Sequence, residues 1–428
     1  MKALLRLAWL SAWNRRFTLS LTVFSIALSA FMLLGVERIR TDVRQGFTSA
    51  VSGTDLIVGA RTGSVQLLLY SVFRVGAATN NIRWQSVQDM AQMRGVAWII
   101  PLSLGDSHRG FPVLGTSADY FTHFRYGERR ALELAQGQPF DDLFDAVLGA
   151  DVARQLGYAL GDRIVLAHGS GGVLNVVEHD DKPFVVSGIL APTGTPVDRT
   201  VHISLQAMQA LHVDWMSGVR LPGQGIDADA VRQMDLQPRN ITAALVGLQS
   251  RAQVFSVQRQ VNNYRSEPLM AVLPGVAMDE LWRVIGAGEK SLLLMSILVA
   301  FVSLLGMVAV VLAGLNERRR ELAVLRAVGA RPAHVVALLA LEGALTTLVG
   351  MVLGTLTLLA ALVLLSPWLL NQFGLVVSAW AFTPLQLWLL LGLLVTGLLA
   401  SLIPGWRAYR LSLVDGLSPP VGHMNGAQ

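Results

Sequence analysis

A chain of 428 residues in which 53% are hydrophobic and only 15% charged is poorer in charge than a typical soluble domain, and it reads as a membrane protein. Its net charge of +5 rests on arginines that flank apolar runs instead of forming one surface stripe, which argues against a nucleic-acid partner. With no cysteine, a disulfide framework, a thiolate nucleophile and a cysteine metal site are all excluded.

Residues 1–16 place Trp9 and Trp13 one turn apart in KALLRLAWLSAWNRR, the pattern of an interfacial amphipathic helix on the cytoplasmic leaflet with its aromatics at headgroup depth. Phe17 to Val36 is an uncharged run of about 20 residues, enough at 1.5 Å per residue to cross a roughly 30 Å hydrocarbon core. It sets transmembrane helix 1 at residues 17–37. The run is too long for a typical cleaved signal, and Glu37-Arg38-Ile39-Arg40 is a poor cleavage site, so the span is expected to be retained.

Residues 38–285 change texture. Short β-type runs (DLIVGA, AWIIPLSLG, FPVLGTS, DRIVLA, KPFVVSGIL, TVHISL) alternate with Gly, Pro and Asp, and with helix-like pieces at VLGADVARQLG from Val147 and ISLQAMQALH from Ile203. This predicts a mixed α/β domain large enough to bury its own core, with room for two lobes. Within it, His168, His179, Asp180 and Asp181 cluster around HGSGGVLNVVEHDD, but their spacing matches no compact zinc motif and a polar-tipped, Gly-rich hairpin explains the same letters. No metal ligand is assigned. Ser, His and Asp are present, yet no GxSxG elbow presents a nucleophile, so no catalytic residue is assigned either.

From Ala277 no proline interrupts the chain up to the second apolar run, Ser291 to Leu315, so one helix is expected to leave the domain and enter the membrane as a rod of about 38 residues and roughly 57 Å. Residues 286–315 are transmembrane helix 2 with its stalk. GAGEKS from Gly286 is the nearest approach to a phosphate-cradling loop, and it fails because Glu289 sits where a glycine must let backbone approach phosphate. Residues 316–333 follow as a short, stiff cytoplasmic helix: Glu317 and Arg320 are spaced to pair, Leu322, Leu325 and Val328 share a flank, Gly329 can end the helix and Pro332 suits the first turn of the next.

Transmembrane helix 3 occupies 334–366, broken only by Glu342, which is either an interface or coupling residue or a carboxylate that reaches water near the cytoplasmic face. Gly350 and Gly354 form a GxxxG on the same helix. A loop at 367–383, transmembrane helix 4 at 384–405 and a tail at 406–428 complete the chain. Lys2, Arg6, Arg15 and Arg16 precede the first span, Arg318, Arg319, Arg320, Arg326 and Arg331 lie between the second and third, and Arg407 and Arg410 follow the fourth. Both termini are therefore expected in the cytoplasm, with the large domain and the 367–383 loop outside, which in a bacterial inner membrane means the periplasm. The fold class is an α+β membrane protein: four transmembrane helices with a large mixed α/β extracytoplasmic domain inserted between helices 1 and 2.

ERRRELAVLRAVGARPAHVVALLALEGALTTLVGMVLG from Glu317 resembles the signature of the FtsX/MacB/LolC-type ABC transporter permeases. The tail IPGWRAYRLSLVDGL is similar to the family's ending, with Gly405 where alanine is usual and Leu413 where proline is common, and the segments from Val147 and Phe184 resemble the MacB-like periplasmic core domain. The resemblance implies that Glu317, Arg318, Arg319, Arg320, Glu321, Leu325, Arg326, Gly329 and Ala330 contact a cytoplasmic ABC ATPase subunit, and that Glu342, Gly350 and Gly354 serve transmembrane packing or coupling. It further implies a second permease subunit (a homodimer or a heterodimer), no cofactor on this chain, ATP and Mg bound by the ATPase, and a periplasmic adaptor or substrate lipoprotein as further partners. The implied action is mechanotransmission: periplasmic work such as lipoprotein or lipid extraction, or export of a peptide or small molecule. A non-transporting subunit that controls an extracytoplasmic enzyme, and a membrane-bound hydrolase, are the rival classes.

Overall fold

Each of the four apolar runs lies in a helix long and apolar enough to cross a bilayer: the spans are Leu19–Gly46, Pro274–Ala313, Ala333–Leu369 and Pro384–Ile403. The computed structural model describes residues 16–50, 52–169, 179–216, 219–220, 226, 228–327, 329–373 and 382–414, without the side chains of 314–327 and 407–414 and a few others. The expected helix at 1–15, the 374–381 part of the expected loop and the tail from 415 fall outside these residues. Two compact units are formed, one within Met1–Thr41, Ala287–Ser366 and Val377–Gln428, the other within Asp42–Gly286 and Pro367–Val376.

The helical unit draws on helix α1 (Arg16–Ser49) and on three long helices described below as α7 (Pro274–Ala327), α8 (Pro332–Phe373) and α9 (Pro384–Val414). Its buried centre is small: Ile26 and Ala30 of α1 meet Ala300, Leu304 and Met307 of α7, Met351 of α8 and Leu393 of α9. Much of the rest is apolar and exposed, including Phe17, Leu21 and Phe24 on α1, Leu294 and Phe301 on α7, and Leu356 and Leu364 on α8. Helices that are hydrophobic all round suit a lipid solvent, where such surface carries no penalty.

Two boundaries differ from the sequence reading. The separate helix expected over 316–333 does not begin anew, because α7 runs unbroken for 54 residues through the basic stretch to Ala327. Asn316 to Ala327 contains neither glycine nor proline, so nothing in the backbone interrupts the hydrogen-bond ladder. The third helix also continues past 366 to Phe373, carrying Pro367 inside it.

The α/β unit is built on one 11-stranded sheet. In chain order its strands are β1 (Leu56–Ala60), β2 (Val96–His108), β3 (Phe111–Thr116), β4 (Leu134–Gly137), β5 (Asp145–Leu148), β6 (Arg163–Ile164), β7 (Ala167–His168), β8 (Phe184–Leu190), β9 (Val201–Ser204), β10 (Ala243–Leu248) and β11 (Leu269–Val272). The spatial order is β11-β1-β10-β2-β3-β9-β5-β8-β4, with β7 beside β2 and β6 beside β8. Pairing is antiparallel except for β9 on β3 and β8 on β5. All six sequence-predicted β runs contribute strands, and DRIVLA is split between β6 and β7.

Helices α2 (Ser64–Ser71), α3 (Trp84–Ala91), α4 (Ala150–Leu156), α5 (Leu205–Leu211) and α6 (Val254–Asn262) cover the sheet. One buried cluster joins Leu67 and Leu68 of α2 to Leu102, Leu114 and Val147 of the sheet and to Ala277, Met278 and Leu281 at the start of α7. A second lies between α4, α5 and the strands β5, β8 and β9; a third packs α3 and α6 on β1, β10 and β11. Room for two lobes is therefore used differently: a single sheet passes through the unit, and three apolar clusters share it.

Leu102 is fully buried in the first cluster, beside the partly buried Trp98. Leu102→Ala should remove about 2–5 kcal/mol from the stability of the α/β unit, the range for a cavity left by a buried leucine. Urea titration of the full chain followed by tryptophan fluorescence would read this as a lower midpoint.

Candidate functional site

Small residues set the close contacts of the helical unit. On α8, a Cβ added to Gly350 would lie 2.8 Å from Ile26 Cβ, and one added to Gly354 would lie 2.3 Å from the Ala27 carbonyl oxygen and 2.9 Å from Ala30 Cβ. The GxxxG read from the sequence is thus the face on which α8 meets α1, and any side chain there must push the helices apart. Hydroxyls stitch α1 to α7: Ser25 Oγ donates to Ser303 Oγ at 2.9 Å, Ser29 Oγ and Ser303 Oγ are 2.7 Å apart, and Ser303 Oγ also reaches the Ser25 carbonyl at 3.2 Å.

Glu342 is half-buried on α8, and its main-chain carbonyl accepts from Thr346 Oγ1 at 2.7 Å. The residues on either side of its turn pack against α9. A Cβ on Gly343 would lie 2.3 Å from Ser401 Cβ, and one on Gly397 would lie 2.6 Å from Thr347 Oγ1. Where α1 leaves its apolar stretch, Arg40 holds buried Glu37 through two hydrogen bonds of 2.9 and 2.8 Å and approaches Glu289 of α7 at 3.9 Å.

The basic turn takes a defined backbone. Glu317, Arg318, Arg319, Arg320, Glu321, Leu325 and Arg326 lie on the last turns of α7, and their side chains are outside the described set. Gly329 follows with φ +100°, a backbone region that L side chains rarely adopt, so the chain reverses at the glycine the sequence singled out. Ala330 is half-buried, and α8 starts at Pro332. Its first turn is capped reciprocally: the Arg331 N–H donates to His334 Nδ1 at 3.2 Å, and the His334 N–H donates to the Arg331 carbonyl at 2.8 Å.

A second polar constellation stands in the α/β unit. Asp106 of β2, His168 of β7, His179 and His212 each bring one ligand-type atom to within 4.8 Å of the others. His168 and His179 were visible in the sequence, whereas Asp106 and His212 were not, and Asp180 is not part of the group. Asp106 sits where β2 bulges: Leu104 pairs with Leu114 and Ser107 with Pro112, so two residues of β2 oppose one of β3. A bulge of this kind re-aims a side chain. Burial works against charge on Asp106, but hydrogen bonds to His168 and His212 outweigh it and hold the carboxyl down at about 2. Burial pulls His179 down to about 4, so its ring is neutral near pH 7.

Two comparisons cover nearly the whole described chain. Residues 19–264 match the MacB-like periplasmic core domain, and residues 293–413 match the FtsX-like permease C-terminal domain. Over 149 residues the chain is 36% identical to the macrolide export ATP-binding/permease protein MacB of Escherichia coli (strain K12), covering 33% of this chain and 22% of that protein. The protein of the same name from Shigella sonnei (strain Ss046) is 35% identical over the same length. The matched segment therefore spans about a fifth of these relatives, 22% in each. Among solved structures, the periplasmic region of MacB from Actinobacillus actinomycetemcomitans aligns at a TM-score of 0.33 and 11% identity, covering 55% of this chain and 97% of that one. The extracellular domain of the ABC-type transporter YknZ from Gram-positive bacteria aligns at 0.30 and 11%, covering 51% and 99%.

The α1–α8 contact is directly testable. Gly354→Val should lower stability by about 1–3 kcal/mol through overpacking, seen as a lower thermal unfolding midpoint of the detergent-solubilised chain. Gly306→Ala, where an added Cβ meets nothing within 4 Å, should not lower the midpoint.

Proposed function

Because the chain belongs to the family of FtsX-like permeases with a MacB-like periplasmic core domain, we propose that it is the membrane subunit of an ABC transporter and passes force from a cytoplasmic ATPase to its α/β unit across the membrane. The observation that carries this reading is α7. It is a single helix from Pro274 to Ala327, about 81 Å at 1.5 Å per residue, with its first turns in the core of the α/β unit and its last in the basic stretch. The helix carries no proline after its first residue and runs unbroken, so it can act as a strut that passes displacement from the arginines toward Leu281.

In this proposal Glu317, Arg318, Arg319, Arg320, Glu321, Leu325, Arg326, Gly329 and Ala330 present the docking surface for the ATPase, which binds ATP and Mg on its own chain. The Gly329 reversal fixes where that surface ends. Glu342 sits on α8 next to Gly343, which packs on α9, and serves coupling there. Arginine distribution supports a cytoplasmic basic turn and a periplasmic α/β unit. Two copies of the chain pair with two ATPases, and their α/β units work on a substrate outside: a lipid, a lipoprotein, a peptide or a small molecule, with a periplasmic adaptor where export across a second membrane is needed.

Leu325→Ala and Arg326→Glu should each weaken association with the co-expressed ATPase by about 10- to 30-fold, the loss of one interface hot spot, while membrane insertion and thermal unfolding stay as in the parent. Unchanged complex formation and ATP-dependent activity would overturn the docking assignment. Topology has its own test, made simple by the absence of native cysteine. An impermeant maleimide should label Leu160→Cys in intact spheroplasts and Arg331→Cys only after permeabilisation; both residues are exposed. Labelling of both in the same compartment contradicts the whole arrangement.

A further inference from the structure

We propose that Asp106, His168, His179 and His212 form a binding site for one divalent transition-metal ion of the zinc class in the α/β unit. The inference goes beyond the transport reading, which requires no metal on this chain, and it rests on geometry within one unit.

The donor atoms already stand at coordination spacing. His168 Nδ1 lies 3.0 Å from His212 Nε2 and 3.1 Å from Asp106 Oδ1, and His212 Nε2 lies 3.4 Å from Asp106 Oδ1. Nitrogen and oxygen ligands held about 2.0–2.2 Å from a tetrahedral zinc ion are roughly 3.3–3.5 Å from one another, so these edges fit with a few tenths of an ångström of adjustment. His179 supplies the fourth corner: its ring centroid is 5.5 Å from that of His212 and 6.5 Å from that of His168. Three imidazoles and one carboxylate form a donor set that zinc takes in preference to magnesium or calcium, which favour all-oxygen sites.

Outer contacts prepare the ligands. His212 Nδ1 is 2.9 Å from the Met208 carbonyl oxygen, an acceptor only, so Nδ1 carries a proton and Nε2 is the nitrogen that faces the group. The His179 N–H donates to the Leu166 carbonyl at 2.8 Å, tying the residue down beside β7. Three residues on, the fully buried Lys182 ammonium bridges Asp181 at 2.8 Å and Asp214 at 3.2 Å, and so binds the segment bearing His179 to the segment bearing His212. Asp106 is 3% exposed, and its Oδ2 is a buried oxygen with no hydrogen-bond partner among the described residues. A buried carboxylate oxygen in that position is costly unless a cation meets it. Access remains, because the His168 and His212 side chains are 37% and 26% exposed.

The test uses the untagged full-length chain in detergent, stripped of metal and titrated with zinc(II) or cobalt(II) alone. One ion per chain is expected, with a tetrahedral cobalt(II) visible spectrum and a zinc X-ray absorption shell of nitrogen and oxygen that shows imidazole back-scattering. Outer-shell changes alone cost about 10- to 100-fold in metal affinity, so loss of a ligand in His168→Ala, which truncates a partly exposed side chain, should cost about 100-fold or more. Zinc should also raise the thermal midpoint of the parent and leave that of His168→Ala unmoved. If the parent binds no ion, or if His168→Ala and His212→Ala bind it as the parent does, the cluster is a hydrogen-bonded His-Asp-His group and the proposal is wrong. The absorption shell of the parent decides the matter even if a variant folds poorly, since a shell without imidazole is equally fatal.

Discussion

A chain that crosses hydrocarbon must satisfy every backbone N–H and C=O within itself, and an unbroken helix is how a single segment does so. Helix α7 meets that constraint for 54 consecutive residues. Its first turns are buried with α2 and the sheet through Ala277, Met278 and Leu281; its middle is buried with α1, α8 and α9 through Ala300, Leu304 and Met307. The same backbone ladder therefore anchors in one core, passes through another and ends at Ala327.

The long elements were legible because their signal is redundant. An uncharged run of about 20 residues has few alternatives to a membrane helix, and the aromatic and β-branched run FVVSGIL forms strand β8, with burial alternating along it. Short strands poor in β-branched residues were not legible. Strand β10, AALVGL, offers alanine and glycine where strand propensity is low, and it is a strand because both of its neighbours, β1 and β2, supply partners. Gly247 shows why the weak former is kept: a Cβ there would lie 2.0 Å from the Trp98 ring, so the indole lies on bare backbone. The sequence changes from apolar to charged at Asn316, but charge does not interrupt a helix, and α7 runs on to Ala327, with Gly329 following at positive φ.

The sites divide in the same way. Gly350 and Gly354 announced a close-packing face, because glycines four apart have few other uses on one helix, yet the partner face at Ile26, Ala27 and Ala30 carries no motif of its own. His168 and His179 attracted attention by proximity in sequence. Asp106 lies 62 residues from His168 and His212 lies 44 residues beyond it. What unites them is a bulge that turns Asp106 and a helix end that presents His212, and neither feature leaves a period in the sequence.

The character of the helix contacts bears on how such a bundle moves. Contacts made by interlocking large side chains resist sliding, since each knob must leave its hole. Here, beside the buried side chains of Ile26, Leu304, Met307, Met351 and Leu393, the closest approaches are Gly350 and Gly354 on α1, Gly343 on Ser401, Gly397 on Thr347, and the hydroxyls of Ser25, Ser29 and Ser303. Interhelical hydrogen bonds of this type contribute only about 0.6 kcal/mol each on average, because a displaced hydroxyl finds another carbonyl on its own helix. Ser29 already illustrates the exchange, with its Oγ 2.9 Å from the Ser25 carbonyl and 3.5 Å from the Val299 carbonyl of α7. Smooth seams with replaceable hydrogen bonds let the helices adjust against one another at low cost, while each helix stays stiff along its own axis, and that combination is what a subunit conveying displacement requires.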